Sequence, residues 1–280
     1  MSDIPIEAHV PPPVTKLVEA PRKPRLSRKV AASASEKVLP FSTDLELRER
    51  YINFFGGLRL GKLLEDLDLI AGQMAYKHTE GWERGLTIVT AACDRIDLLG
   101  ELHSDCDLQL LSSINWVGRS SLEVGVRISS KVGKTWKRVA RAYFIMVARR
   151  EGIAEPVNSV KPVGKEEQRR FQQGEQRQRQ RRAIAKTSYL HNTPTADESR
   201  VLHDLFLRIK NGEIEGAAME DTIRQSTLLM HPQSRNVHNN IFGGYLMREA
   251  FELAWNITYL FCRKRPQFVS MDHMYFYKPV

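Results

Sequence analysis

Apolar side chains recur every three or four positions along two stretches of the chain, one over residues 58–79 and one that follows Gly243-Gly244. The first stripe comprises Leu60, Leu63, Leu64, Leu67, Ala71, Met74 and His78. The second stripe comprises Leu246, Met247, Ala250, Phe251, Ala254, Ile257 and Phe261. A period of about 3.6 residues predicts two amphipathic helices, each long enough to organise a domain.

Short apolar stretches rich in β-branched side chains lie between the two predicted helices. They predict four strands, at residues 86–97, 107–117, 121–128 and 136–148. Gly118 lies in a turn-like sequence between the second and third of these strands, which predicts a hairpin there. A helix followed by strands at short intervals is typical of a helix packed on an antiparallel sheet, so the predicted fold class is α+β.

The second predicted helix begins a weak internal repeat of the first. Gly243-Gly244 opens the second helix as Gly61 lies near the start of the first, and residues 268–277 resemble the strand at 87–98. A complete copy would need roughly 100 residues. The second copy has only about 60 and stops within the first of its strands, so we expect it to be incomplete.

The remaining segments predict the domain organisation. Residues 1–44 carry Pro11-Pro12-Pro13, further prolines and scattered basic side chains, a composition typical of a disordered tail. The first folded domain is predicted over residues 45–150, and a charged, solvated helical linker over residues 151–219. Thr195 and Glu198 match a capping box that begins a second linker helix, and we expect the linker helices to pack across the domain junction. The partial second domain is predicted over residues 220–280.

The formal net charge of +9 raises the question of nucleic-acid binding. Most of the excess lies in the N-terminal tail and in residues 165–182. Residues 165–182 contain one aromatic side chain, Phe171, and not the interleaved aromatic side chains that stack on successive bases. Nucleic acid is therefore not an expected partner. No run of about 18 apolar residues predicts a membrane span. The three cysteines are far apart, which predicts neither a disulfide framework nor a zinc site.

Two polar residues are candidates for chemistry. Of the three acids Glu65, Asp66 and Asp68, Asp68 lies closest to the apolar stripe of the first helix, and a carboxylate beside an apolar wall can act as a base. Asn240 precedes the glycine pair, where a helix N-terminus offers free N–H groups to an anion. The alternatives are a solvated flank charge for Asp68 and an N-cap for Asn240.

Longer motifs resemble a known family. They are RNVHNNIFGGYLMREAFELAW (235–255), FVSMDHMYFYKPV (268–280), VTAACDRIDLL (89–99) and WVGRSSLEV (116–124). These motifs resemble the double-hotdog acyl-CoA thioesterases, over roughly residues 45–280. The resemblance implies a tandem hotdog fold, in which a long helix is wrapped by an antiparallel sheet, with the second copy truncated. It also implies hydrolysis of acyl-CoA without a metal or redox cofactor, and assembly into homo-oligomers.

The resemblance favours a mitochondrial location. Residues 14–35 partly match a presequence, but the acids and prolines near the N-terminus do not, so the residues alone leave a cytoplasmic location open.

Residue by residue, the resemblance implies that Asp68 is the general base or nucleophile. It implies that Asn240 holds the attacking water or the thioester carbonyl, and that the Gly244 N–H stabilises the oxyanion. The first copy reads Arg59-Leu60-Gly61 and has only one glycine of the pair, which is consistent with one working site. The alternative function is a catalytically inactive acyl-CoA-binding or regulatory partner of a full-length thioesterase.

Overall fold

The computed structural model describes residues 25–188, 192–236 and 239–276. The helices are α1 (Leu45–Glu49), α2 (Leu60–Thr79), α3 (Gly164–Thr187), α4 (Ala196–Lys210) and α5 (Gly243–Cys262). The first strands are β1 (Ser27–Lys29), β2 (Ser35–Leu39), β3 (Thr87–Leu98), β4 (Leu108–Val117) and β5 (Ser121–Val132). The others are β6 (Thr135–Arg150), β7 (Ile153–Ala154), β8 (Ser159–Lys161) and β9 (Ser270–Tyr275).

Helix α2 forms the centre of the core. It begins two residues later than predicted and ends at Thr79, because the next residue, Glu80, has a left-handed φ of 53°. Its apolar stripe is buried, with Leu63, Leu67 and Ala71 each no more than 2% exposed. His78 is fully buried as well and hydrogen-bonds through both ring nitrogens, to Ser33 and to a backbone oxygen, as expected for a core histidine.

An antiparallel sheet in the order β2-β4-β5-β6-β3-β9 packs against α2. The four strands predicted from β-branched patterning are all present as β3 to β6, and each is bounded within a few residues of the prediction. The predicted hairpin is confirmed by the Gly118 N–H, which donates to the Ser121 carbonyl at 2.8 Å. A Cβ at Gly118 would lie 2.6 Å from the Trp116 ring, so glycine is required in this turn.

The prediction of a disordered tail over residues 1–44 is wrong for residues 25–44. Strand β2 pairs antiparallel with β4, from Ser35 opposite Ser112 to Leu39 opposite Leu108. Leu39 and Phe41 are buried under the edge of the sheet, which stabilises a segment whose own sequence is mostly polar. The first domain therefore begins before residue 45. Residues 1–24 lie outside the described residues.

The prediction of a solvated linker helix is also wrong for α3, which packs on the sheet face opposite α2. Arg177 Nε donates to Glu123 Oε2 at 3.0 Å, and Arg181 Nη1 donates to Asp94 Oδ2 at 2.7 Å. Both carboxylates are nearly inaccessible to solvent, so the charged residues of α3 pair with buried acids. A Cβ at Gly174 would lie 2.7 Å from Trp116, which shows how closely α3 approaches the sheet.

Helix α4 does not pack as expected. The capping box of Thr195 and Glu198 is confirmed, with both reciprocal hydrogen bonds present. Every residue of α4 is exposed, including Phe206 at 60% and Val201 at 67%. Within the described part of the chain, α4 buries no apolar face across the junction between the two copies.

The second copy joins the first through one helix and one strand. Helix α5 packs on α2, and β9 pairs antiparallel with β3. Adding 183 to both bounds of α2 gives the bounds of α5, so the two helices are counterparts at a constant offset. Their ends agree in detail, because Arg263 terminates α5 with a φ of 54° where Glu80 terminates α2 with 53°.

The loops that precede the two helices are also counterparts at this offset. The Asn53 N–H donates to the Gly57 carbonyl, and the Asn236 N–H donates to the Asn240 carbonyl. In each loop the first asparagine also accepts the reverse bond on its side chain, from Gly57 N–H at 3.1 Å and from Asn240 N–H at 3.2 Å. The internal repeat is therefore present in the structure as well as in the sequence.

Candidate active site

Asp68 lies where α2 meets the start of α5. Its side chain is 2% exposed and accepts a hydrogen bond on Oδ1 from Thr90 Oγ1 at 2.8 Å. The backbone N–H of Gly244, in the first turn of α5, donates to the same carboxylate. The first copy thus supplies the acid and the hydroxyl, and the second copy supplies the helix N-terminus.

The glycine pair is what lets α5 approach so closely. A Cβ on Gly243 would lie 3.3 Å from Asp68 Oδ2 and 3.4 Å from Thr90 Cβ. A Cβ on Gly244 would lie 2.8 Å from the Glu65 carbonyl oxygen, a distance at which the backbone must shift. The predicted role of the glycines, to let another backbone come close, therefore applies to the backbone of α2.

Burial raises the pKa of Asp68 from 3.8 to about 7, because the charged carboxylate loses its hydration. The hydrogen bonds from Thr90 and from the Gly244 N–H act in the opposite direction and favour the charged form. A carboxyl group that titrates near neutral pH is suited to proton transfer, since both of its protonation states are populated there. The alternative of a solvated flank charge is wrong for Asp68.

Asn240 lies three residues before Gly243, in the loop that leads into α5. Its N–H and its carbonyl are both bonded to Asn236, which fixes the backbone of the loop. The N-cap residue of α5 is Phe242, so the N-cap alternative for Asn240 is wrong. The role of the Asn240 side chain stays a prediction.

The Gly244 N–H lies at the Asp68 carboxylate and lowers its pKa, and its predicted oxyanion role stays a prediction. The N–H groups of Tyr245 and Leu246 donate to the Phe242 carbonyl within the first turn. Within the described part of the chain, the N–H of Gly243 makes no backbone hydrogen bond. Gly243 is therefore a second N–H donor at this helix end.

Sequence reasoning missed two residues at this site. The β-branched pattern predicts that Thr90 lies on a strand. It does not predict that the Thr90 hydroxyl contacts Asp68, on a helix 22 residues earlier. Asn236 was passed over in favour of Asn240. The signal for it was available in the repeat, because Asn53 stands at the corresponding position of the first copy.

The repeat-related counterparts of Asp68, Asn240 and Gly243 are different residues. At the offset of 183, Phe251 corresponds to Asp68, Gly57 to Asn240 and Leu60 to Gly243. Phe251 packs edge-to-face on Phe268, with ring centroids 5.2 Å apart. One of the two related positions has an acid, an amide and a glycine pair, and the other has an aromatic contact.

None of the described helices is both long and apolar enough to cross a membrane. Likewise, residues 25–188, 192–236 and 239–276 contain no group of three or more His, Cys, Asp or Glu side chains arranged to hold a metal ion.

Residues 52–137 match the family model of the thioesterase superfamily. Over 271 residues, the chain is 36% identical to mouse acyl-coenzyme A thioesterase 9, mitochondrial, a match that covers 90% of this chain and 62% of the relative. The segment 52–137 thus has the sequence of a thioesterase-superfamily domain. It is also 34% identical to acyl-coenzyme A thioesterase 2, chloroplastic, from hop, with 94% of this chain and 64% of the relative covered. The chain thus spans less than two thirds of the length of these thioesterases.

Solved thioesterase-superfamily structures agree with the fold. An acyl-CoA hydrolase from Staphylococcus aureus, in complex with butyryl coenzyme A, coenzyme A and coenzyme A disulfide, is 25% identical with a TM-score of 0.50. The match covers 57% of this chain and 92% of that one. An acyl-CoA hydrolase from Bacillus cereus gives the same identity and TM-score, over 60% of this chain and 99% of that one. The predicted α+β class and hotdog fold are confirmed.

Proposed function

We propose that the protein hydrolyses acyl-CoA thioesters to a fatty acid and free coenzyme A. The observation that carries this proposal is the buried carboxylate of Asp68, which faces the glycine start of a helix from the other copy. Thioester hydrolysis needs a base to activate water and a positive dipole to stabilise the oxyanion. This junction supplies both groups side by side.

Asp68 has one of two roles. As a general base, its carboxylate removes a proton from water, whose oxygen attacks the thioester carbonyl carbon and forms an oxyanion. The oxyanion then collapses, the C–S bond breaks, and the thiolate of coenzyme A takes the proton back from Asp68. As a nucleophile, the carboxylate attacks the carbonyl carbon itself, the C–S bond breaks and the thiolate of coenzyme A leaves. Water then cleaves the resulting mixed anhydride to the fatty acid and the free Asp68 carboxylate, and the proton released in this step goes to the thiolate.

The helix N-terminus of α5 stabilises the oxyanion in either role. The Gly243 N–H makes no backbone hydrogen bond within the described residues, and the dipole of a 20-residue helix adds positive potential at this end. We therefore assign the oxyanion donor to Gly243. The Gly244 N–H orients Asp68 instead and favours its charged form.

A loop asparagine would position the water or the thioester carbonyl. Asn240 is one candidate, and Asn236 is the other. Structures of the S. aureus hydrolase were solved with an aspartate, a threonine and an asparagine each replaced by alanine. That asparagine precedes the aspartate by 15 residues, as Asn53 precedes Asp68 here. The repeat relates Asn53 to Asn236, which supports Asn236 beside Asp68.

Location and assembly are part of the proposal. The mouse, human and cattle relatives carry "mitochondrial" in their names, which supports a mitochondrial location over a cytoplasmic one. Acyl-CoA is the proposed substrate, and homo-oligomerisation is expected from the family resemblance. Subcellular fractionation and native mass spectrometry would test these two points directly.

The activity is tested with a series of acyl-CoA esters from short to long chain. Free thiol is followed by its reaction with a disulfide dye, and the acid product is identified by mass spectrometry in ¹⁸O-labelled water. We expect equal amounts of coenzyme A and fatty acid, with ¹⁸O in the acid. If no ester of any chain length releases thiol, the proposed activity is wrong.

One observation favours the alternative of a non-catalytic acyl-CoA-binding partner. The outer side of α5 is open to solvent, with Leu260 at 40% and Phe261 at 62% exposed, whereas the corresponding helix α2 is wrapped by its sheet. A surface of this kind suits contact with another polypeptide. Calorimetric binding of acyl-CoA without any thiol release would support this alternative over hydrolysis.

A further inference from the structure

The two copies meet around a pseudo-two-fold axis, and one pair of residues lies on it. Glu65 and Arg248 are separated by 183 residues, the offset that relates α2 to α5, so each is the counterpart of the other. They also contact each other, since Arg248 Nη1 donates to Glu65 Oε2 at 2.7 Å. Neighbouring contacts are reciprocal, because Gly61 approaches Arg248 and Gly244 approaches Glu65.

A residue on a two-fold axis meets its own copy when two identical domains pair. Two first copies would bring Glu65 against a second Glu65, and two second copies would bring Arg248 against a second Arg248. The Glu65 and Arg248 side chains are only 18% and 19% exposed. Partial desolvation makes repulsion between like charges stronger at this position than at an open surface.

We propose that the Glu65–Arg248 pair is a selectivity device, which makes the first copy pair with a second copy and not with another first copy. The opposite charges on the axis attract only in the mixed pair. Either self-pairing places like charges in contact. The partner that fits the α2 surface is therefore a domain with a basic residue at the axial position.

A second contact, away from the axis, also favours pairing of a first copy with a second copy. Arg59 donates to both carboxylate oxygens of Glu252, at 2.8 and 2.9 Å. The counterparts at the offset of 183 are Phe242 and Leu69, which carry no charge. In a pair of two first copies, Arg59 would therefore face a leucine and lose its bidentate partner.

Sterics at the active site favour the same pairing. A Cβ at Gly243 would already be 3.3 Å from Asp68 Oδ2. Leu60 stands at the corresponding position of the first copy, so pairing of two first copies would place a leucine side chain against Asp68. Only the mixed pair brings the acid together with a glycine helix start, which links selective pairing to the composition of the proposed active site.

The test uses cysteines that report pairing without altering the axial charges. Arg59→Cys and Glu252→Cys are introduced into a chain with Cys106→Ser and Cys262→Ser, which leaves the fully buried Cys93. A short bis-maleimide then links residues 59 and 252 within one chain when the two copies are paired. The linked monomer is separated from covalent dimers by denaturing gel electrophoresis.

In this reporter chain we expect Glu65→Arg, which places two arginines on the axis, to lower the rate of internal linking about tenfold or more. Arg248→Glu, which places two glutamates there, should do the same. The double exchange Glu65→Arg/Arg248→Glu restores opposite charges and should return the rate to within about threefold of the parent. Exchanging the exposed ion pair Asp197 and Arg200 is the control and should change nothing.

The proposal is overturned if the double exchange links no faster than the slower single variant. It is also overturned if covalent dimers form as readily in the parent as internal links do. Recovery in the double variant excludes a folding defect as the cause of the losses. Because linking does not depend on hydrolysis, these outcomes are separate from any failure of the proposed activity.

Discussion

The hydrogen bond from Thr90 to Asp68 has a measurable effect on the pH dependence of hydrolysis. Thr90→Val removes the hydroxyl and keeps the shape of a β-branched side chain. The hydroxyl donates at 2.8 Å to a carboxylate that is 2% exposed, and it favours the charged form. Its loss therefore raises the pKa of Asp68 above its value of about 7.

The size of this shift follows from the bond. A hydrogen bond to a charged group contributes about 1.5–3 kcal/mol, and one pKa unit corresponds to about 1.4 kcal/mol. The pKa of Asp68 should thus rise by about one to two units. At pH 7 the ionised fraction would fall from about one half to between roughly one tenth and one hundredth, so kcat/KM should fall about 5- to 50-fold.

The assay is kcat/KM for thiol release from one acyl-CoA ester between pH 5 and 10. Native protein should gain activity as pH rises through about 7, and the Thr90→Val profile should lie one to two units to the alkaline side and recover activity at its upper end. Thr87→Val, in the same strand, is the control and should leave the profile in place. A Thr90→Val profile that superposes on the native one would refute the reasoning.

Three further predictions concern stability. The raised pKa of Asp68 means that the folded state binds the proton more tightly than the unfolded state does. The free energy of unfolding should therefore fall by up to about 4 kcal/mol as pH rises from about 4 to about 7. Urea unfolding should show this loss in native protein and much less of it in Asp68→Asn. Gly244→Ala places a methyl group 2.8 Å from a carbonyl oxygen of α2 and should lower the free energy of unfolding by about 1–3 kcal/mol. The control Gly72→Ala meets nothing within 4 Å and should not destabilise the protein. Equal melting temperatures for the two variants would contradict this. Arg177→Ala removes the partner of a fully buried glutamate and should cost about 3 kcal/mol by chemical denaturation, against less than about 1 for the exposed Arg179→Ala.

Strong periodicity made the centre of the fold predictable. The α2 stripe and strands β3 to β6 follow regular patterns over 10 or more residues, and their bounds came within a few residues of the prediction. Strand β2 was missed because its sequence, SEKVL, is mostly polar, and it is a strand only through its pairing with β4. Pairing of distant segments leaves no mark in a local pattern.

The candidate site was predictable in part. Asp68 was singled out because its helical position is close to the buried stripe, and it is buried as expected. Asp66 lies further than Asp68 from that stripe on the helical wheel. It is nevertheless only 8% exposed, because Tyr51 from the preceding loop packs on it and donates a hydrogen bond to its carboxylate. A helical wheel describes one helix and cannot include what packs on it from elsewhere in the chain.

The same limit applies to the proposed roles of the two glycines. The sequence predicts a backbone N–H donor at the start of α5. Which of the two glycines faces Asp68 depends on how α5 crosses α2. Once Gly244 donates to Asp68, the adjacent Gly243 is the donor proposed for the oxyanion. A one-residue difference of this kind is set by tertiary packing.

Thiol release from acyl-CoA by the native protein and by Asp68→Asn, measured together at pH 8, tests the central claim most directly. We expect native protein to release coenzyme A and Asp68→Asn to be slower by about 100-fold or more, because a general base contributes about 10²- to 10⁴-fold. Asp66→Asn, two residues away on the same helix, should stay within about fivefold of the native rate, since it removes no group from the proposed site. Equal rates for native protein and Asp68→Asn, or no release by native protein, would contradict the account.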